Sequence, residues 1–233
     1  MHLCCRISDK LIDVNTLFAY EIDLEELSDW AYSAVFADVC DKLGFRNTSV
    51  GRLLAPRTGS GVLVGWARTA KSQAVSEPPL RHYGAEIDYI DSLKPGDVVV
   101  ASVDGTAAFW GELFSAAATG RGCRGAVIDG FMRDETRVSD VGFPVWAKGA
   151  LPTDSLGRIS ISQQDVEIAI DGVPVSRGDL VIADSDGVTI VPAAIAIRAI
   201  EEARQKASTE TAAKATLMAG ATLKDVWEKY RVL

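Results

Sequence analysis

The stretch Asp97–Asp129, DVVVASVDGTAAFWGELFSAAATGRGCRGAVID, decides the fold. Asp97–Val103 is a continuous apolar run introduced by the turn Lys94-Pro95-Gly96, which is the pattern of a strand covered on both faces. Trp110–Thr119 has helix-forming composition and ends at Gly120; Gly125–Asp129 returns to an apolar run. Strand, helix, strand in this order predicts a βαβ unit with two parallel strands.

Working outward, Gly61–Ala67 reads as a further buried strand. Asp23–Lys42 puts apolar residues at helical spacing, begins with acids and stops before Gly44, so one amphipathic helix is expected there, with a second after a turn. Beyond Asp129 the reading is a loop at Gly130–Arg133, a short helix at Glu135–Val141, a strand at Val145–Lys148, alternation from Ile159 to Ile170, and strands at Val181–Ala183 and Val188–Val191. Pro192 to about Gly220 is Ala-rich and predicts one long helix; its small apolar positions (Ile195, Ile200, Ala203, Ala207, Ala212, Leu217) give weak drive alone, so it packs on its own domain or on a neighbouring subunit, or stays a solvated surface helix.

Composition narrows the function classes. The 233 residues are 48% hydrophobic and 24% charged, ordinary values for a globular chain of one domain, here 1–233 with 192–233 as a helical extension. A net charge of −8 makes nucleic acid an unfavourable partner. No apolar run is long enough to span a membrane and MHLCCRISDK has no signal-peptide pattern, so a cytoplasmic protein is expected. Cys4, Cys5, Cys40 and Cys123 form no CxxC pair or zinc spacing and read as reduced thiols; His2 and His82 leave little room for triads or imidazole metal cages.

Gly120–Gly125 matches GxGxxG, but it follows a helix and precedes a strand, the reverse of a dinucleotide site, and reads as a helix end with a tight turn. Two other segments converge. Gly111-Glu112-Leu113-Phe114 opens the helix after the first strand, where free backbone N–H groups suit a carboxylate. Arg133-Asp134 follows the next parallel strand and opens into the same crevice, offering a guanidinium fork for a carboxylate and an oxygen ligand for a hard cation. Each piece has a plainer reading: Asp134 as a cap for Glu135–Val141, Arg133 paired with Glu135 or Asp129, Glu112 as a first-turn acid.

Gly111-Glu112-Leu113, the run Gly125–Asp134 (GAVIDGFMRD) and Gly187–Pro192 (GVTIVP) resemble the RraA-like proteins, which include metal-dependent 4-hydroxy-4-methyl-2-oxoglutarate and 4-carboxy-4-hydroxy-2-oxoadipate aldolases. An acid, twenty residues (Leu113–Met132), then Arg-Asp is the shared signature, and the likeness runs from about Trp30 to the closing Tyr230–Leu233. The resemblance implies an α/β/α swivelling-type, phosphohistidine-domain-like sandwich with a long C-terminal helix, assembled as trimers or hexamers. It further implies a lyase that releases pyruvate from a 4-hydroxy-2-oxo acid, with oxaloacetate decarboxylation alongside. Arg133 would bind the carboxylate, Asp134 a Mg²⁺ or Mn²⁺ ion, the Gly111–Phe114 backbone the substrate, with Glu112 near the base and Glu210 of a neighbouring subunit near the metal. The family usually has an acid where Arg137 stands; Arg137 is expected to pair with Asp134 or reach a second substrate carboxylate. Lys71 and Lys148 offer a rival Schiff-base route, and Lys71, Arg68 and Arg137 are candidate partners for the distal carboxylate. The alternative function is the non-catalytic branch that binds ribonuclease E; a methyltransferase reading lacks a glycine-rich strand-to-helix loop.

Overall fold

Val98, Val99, Val100 and Ala101 are wholly buried, and the strand they form, β4 (Asp97–Ser102), lies at the middle of a ten-stranded sheet. The structure, a computed structural model, describes residues 22–51 and 53–232; His2, Cys4, Cys5 and Leu233 fall outside them. In chain order the elements are α1 (Leu24–Trp30), α2 (Ser33–Lys42), β1 (Ser49–Val50), β2 (Ala55–Thr58), β3 (Leu63–Ala74), α3 (Gly84–Asp91), β4, β5 (Ala108–Trp110), α4 (Glu112–Gly120), β6 (Gly125–Met132) and α5 (Glu135–Val141). Then follow β7 (Val145–Ala150), β8 (Ile159–Gln164), β9 (Ile168–Ile170), β10 (Val173–Val175), β11 (Leu180–Ala183), β12 (Val188–Val191), a 3₁₀ turn (Ala193–Ile195), α6 (Ala196–Met218) and α7 (Leu223–Tyr230).

The main sheet runs β1-β12-β11-β3-β4-β6-β7-β2, with β5 added to β6 and β8 to β3. Strands β3, β4, β6 and β7 run parallel to one another and the β11, β8 and β2 pairings that flank them are antiparallel; the βαβ unit around α4 is present, with Ala108–Trp110 forming strand β5 where the helix was expected to begin. The long β3 curls the sheet: Leu63–Trp66 pair with β11, and Ala70–Ala74 pair with β8 through a bulge at Lys71/Ser72. One face carries a core of Tyr89, Phe109, Trp110 and Phe143 with α3 to α5 around it; the other is filled by Val98, Trp146 and the β9–β10 hairpin. A third cluster, with Phe36, Leu180 and Ile182, lies among α1, α2 and α6.

Several boundaries differ from the sequence reading. Asp23–Lys42 is two helices, because Ala31 and Tyr32 are extended and Ser33 is held by Asp184 (Ser33 N–H to Oδ2 2.6 Å, Ser33 Oγ–H to Oδ1 2.7 Å). No helix follows at once: Ser49–Val50 and Ala55–Thr58 are strands pairing with β12 and β7, and the next helix is α3. Gly130–Met132 continues β6 rather than forming a loop. The terminal region is a 3₁₀ turn, α6 and a separate α7; Ala196, Ala199 and Ala203 of α6 are buried in the third cluster. The Gly120–Gly125 run is the predicted helix end and turn, with Gly122 at φ 76° accepting a bond from Gly96 N–H.

Candidate active site

Three strand ends converge. Strand β5 pairs with the end of β6 in parallel, Trp110 beside Met132, and Arg133 N–H donates to Trp110 O (2.8 Å). Gly111-Glu112 and Arg133-Asp134 therefore leave the sheet side by side, each directly after one of two paired strands. The end of β7 joins them: Leu151 N–H donates to Met132 O (2.8 Å), Ala108 N–H to Thr153 O (2.9 Å), and Asp154 bridges to Ala108. Side chains beyond the carboxyl ends of parallel strands share one crevice.

That crevice is a cavity of about 540 Å³. At one end Arg133 Nη1 lies 3.2 Å from Asp154 Oδ1 and its Nε 3.5 Å from Asp134 Oδ2, while the Tyr83 hydroxyl donates to Asp154 Oδ2. Burial, then the Asp154 carboxylate, raises the Tyr83 hydroxyl above its usual range and keeps it a donor. Gly111 caps α4 without a side chain; among the described residues the Leu113 and Phe114 N–H groups have no hydrogen-bond partner, and Glu112 N–H has only a long contact (3.4 Å) to Asp134 Oδ2. The helix start is pinned from below: Trp110 Nε1–H donates to buried Ser115 Oγ (2.8 Å), which donates to Gly111 O (3.0 Å).

Asp134 sits in the left-handed region (φ 63°, ψ 33°), a conformation Asp tolerates better than most residues. It precedes α5 but makes no capping bond, so its Oδ1 has no partner among the described residues. Arg133 pairs with neither Glu135 nor Asp129; Arg57 takes Glu135 and Lys148 takes Asp129 (2.7 Å). Arg137 lies against Glu112 Oε2 (3.4 Å) and not against Asp134.

The structure thus brings together Gly111, Glu112, Leu113, Phe114, Arg133 and Asp134. Glu210, expected from a neighbouring subunit, lies within this chain on α6, where it is bonded by the Tyr32 hydroxyl and Lys206 Nζ (2.7 Å). Arg68 is no distal carboxylate partner: it is buried against Asp165 (2.9 Å) and Asp97 (3.4 Å). Lys71 and Lys148 do not line the cavity, and Lys148 is ion-paired, which removes the desolvated amine a Schiff base requires. Sequence reasoning missed Tyr83 and Asp154. Asp154 had a usable signal, a carboxylate just past the end of a parallel strand; Tyr83 had none.

No group of three or more His, Cys, Asp or Glu side chains among the described residues is arranged to hold a metal. Mg²⁺ and Mn²⁺ do not require one, since Mg²⁺ commonly takes one or two carboxylates and keeps its remaining positions for water and substrate oxygens. Asp134, half-exposed at the cavity with one oxygen free of partners, fits that role.

Residues 36–190 match the family model described as RraA-like, Aldolase/RraA, a stretch that stops short of α6. A Halalkalibacterium halodurans protein provisionally named 4-hydroxy-4-methyl-2-oxoglutarate aldolase is 30% identical over 167 residues, 71% of this chain and 76% of that one. The fold is similar to an uncharacterized protein from Pseudomonas syringae pv. tomato (TM-score 0.75, 26% identity, 87% of this chain and 95% of that one). It is also similar to Streptomyces coelicolor RraAS2, described as an unusual member of the RNase ES inhibitor RraA protein family (TM-score 0.71, 27% identity, 82% and 94% covered).

Proposed function

This chain belongs to the RraA-like family, and from that membership we propose that it is a carbon–carbon lyase cleaving a 4-hydroxy-2-oxo acid to pyruvate and a second 2-oxo acid. The observation that carries the reading is the meeting of Arg133, Asp134 and the unpartnered amides of α4 in one cavity.

Arg133, held by Asp154 and through it by Tyr83, presents guanidinium N–H groups to the substrate's C1 carboxylate. The Leu113 and Phe114 amides donate to oxygens of the same end, where negative charge grows as the C3–C4 bond breaks. Glu112, steadied by Arg137, takes the 4-hydroxyl proton directly or through a water. The C3–C4 electron pair moves onto the 2-oxo group as an enolate, the C4 carbon becomes the carbonyl of the second product, and the proton returns to C3 to complete pyruvate. A divalent cation, Mg²⁺ or Mn²⁺, held by Asp134 would supply Lewis-acid stabilisation of that enolate charge. Oxaloacetate decarboxylation passes through the same enolate and belongs to the proposal. So do a trimeric or hexameric assembly and a contribution of Glu210 from a neighbouring subunit.

A second reading, a protein-binding regulator, draws on the likeness to RraAS2 and the net charge of −8. Pyruvate release measured by lactate dehydrogenase and NADH, from 4-hydroxy-4-methyl-2-oxoglutarate, 4-carboxy-4-hydroxy-2-oxoadipate and oxaloacetate, separates the two. Turnover in Mg²⁺ that EDTA abolishes is expected. Turnover unaffected by EDTA would sink the metal-dependent route, and none on any substrate would favour the regulator.

A further inference from the structure

Helices α3 and α4 run side by side in the same direction. Tyr83, which precedes α3, reaches Asp154 near the start of α4, and Asp91 at the end of α3 pairs with Arg121 just past the end of α4 (2.7 Å). The cavity is the groove between them. Its polar head is the Tyr83, Asp154, Arg133, Asp134 cluster, and the walls leading away from it are Ile87, Ile90, Leu113, Phe114 and Ala117 over a floor of Phe109 and Trp110. From Tyr83 to Asp91 is eight residues, about 12 Å of groove at 1.5 Å per helical residue.

The charges are one-sided. Arg133 is the single cationic side chain lining the cavity among the described residues, against Asp91, Glu112, Asp134 and Asp154. At the far end the one acidic lining residue is Asp91, with Arg121 already paired to it. A carboxylate carried down the groove would meet apolar walls and Asp91, and no unpaired cation among the described lining residues would offset the hydration it gives up. An alkyl chain or aromatic ring would instead cover Ile87 and Leu113, which are 42% and 79% exposed.

We infer that the substituent on the substrate's carbon 4, the arm that runs between α3 and α4, is apolar, an alkyl chain or an aromatic ring, and that the site selects against a carboxylate-bearing arm. The inference rests on the lyase reading above and specifies its substrate class: 2-oxo acids of the form R–CO–COO⁻, with R apolar, are the second product.

Binding tests this without depending on turnover. The full chain in Mg²⁺ is titrated calorimetrically with pyruvate, 2-oxobutyrate, 2-oxohexanoate, phenylpyruvate and 2-oxoglutarate. Affinity is expected to rise about two- to four-fold per added methylene, phenylpyruvate to bind tighter than pyruvate, and 2-oxoglutarate to bind at least about ten-fold more weakly than 2-oxohexanoate. Ala117→Lys, on the exposed face of α4, places a cation on the groove wall and should reverse the last ratio. Pyruvate binding without a chain-length trend, 2-oxoglutarate binding as well as 2-oxohexanoate, or selectivity unmoved by Ala117→Lys would overturn this inference and leave the lyase reading standing. No binding of any 2-oxo acid would overturn both.

Discussion

A single methyl group at Gly111 tests whether the juxtaposition of the two segments is functional. An ideal Cβ there would lie 3.0 Å from Asp134 Oδ2, 3.2 Å from Arg133 Cγ and 3.5 Å from Arg133 Nε. Ordinary contact begins near 3.4 Å, so Gly111→Ala must push the carboxylate and the guanidinium stem away by roughly 0.2–0.4 Å. The backbone itself accepts alanine, since Gly111 is fully extended (φ −165°, ψ −169°). Exchanging a helix-cap glycine for alanine costs at most about 1 kcal/mol, a shift of about 2–4 °C in Tm for a chain this size. Misplacing a positioning group by 1 Å can cost about 10²-fold in rate, and we expect about ten-fold here, near 1.4 kcal/mol in transition-state stabilisation. Pyruvate-release kinetics and a thermal melt on the same preparation read both numbers. A variant within two-fold of wild type in kcat/KM, or one whose lost activity tracks a collapsed Tm, would show that the contact between Gly111 and the Arg133-Asp134 pair does not set the rate.

Ser115→Ala removes the acceptor of the buried Trp110 indole N–H, and stranding that donor should cost about 1–3 kcal/mol, seen as a fall of about 3–10 °C in Tm. Tyr83→Phe frees Asp154 from its hydroxyl donor and loosens Arg133, so KM for the 2-oxo acid should rise about three- to ten-fold with Tm nearly unchanged; an unaltered KM would remove Tyr83 from the site. Burial raises the Cys40 and Cys123 thiols to about 11. Because the folded values lie above the unfolded value, their neutral thiols stabilise the fold below about pH 9 and that contribution is lost as pH rises through about 11. Peptide mapping after iodoacetamide at pH 8 should find both residues unmodified in the native protein and modified in urea.

Much of this arrangement is legible in the chain because local and long-range signals agree. The apolar runs at Val98–Ala101 and Ala126–Ile128 have no exposed side to encode, so burial and parallel pairing follow from them directly. Gly111 follows β5 and Arg133-Asp134 follows β6, at the carboxyl ends of parallel strands, where chemistry is expected. The failures have the opposite character. Nothing local marks the break at Ala31–Tyr32, which is imposed by Asp184, 151 residues away from Ser33. The Gly130–Met132 tail, which reads as a loop, is held in β6 by pairing with β5 and β7. Arg68 looked free to bind substrate, but a buried guanidinium needs acids, and Asp97 and Asp165 supply them only once β3, β4 and the turn after β8 are assembled.

The most direct test is kcat/KM for pyruvate release by wild type, Arg133→Ala and Arg133→Lys in Mg²⁺, with folding verified by circular dichroism. The role given to Arg133 requires that Arg133→Ala falls by at least about 10³-fold with the fold intact, and that Arg133→Lys recovers only a small part, because one ammonium cannot reproduce the guanidinium fork facing both Asp154 and the substrate carboxylate. Wild-type turnover that survives Arg133→Ala within ten-fold would contradict it.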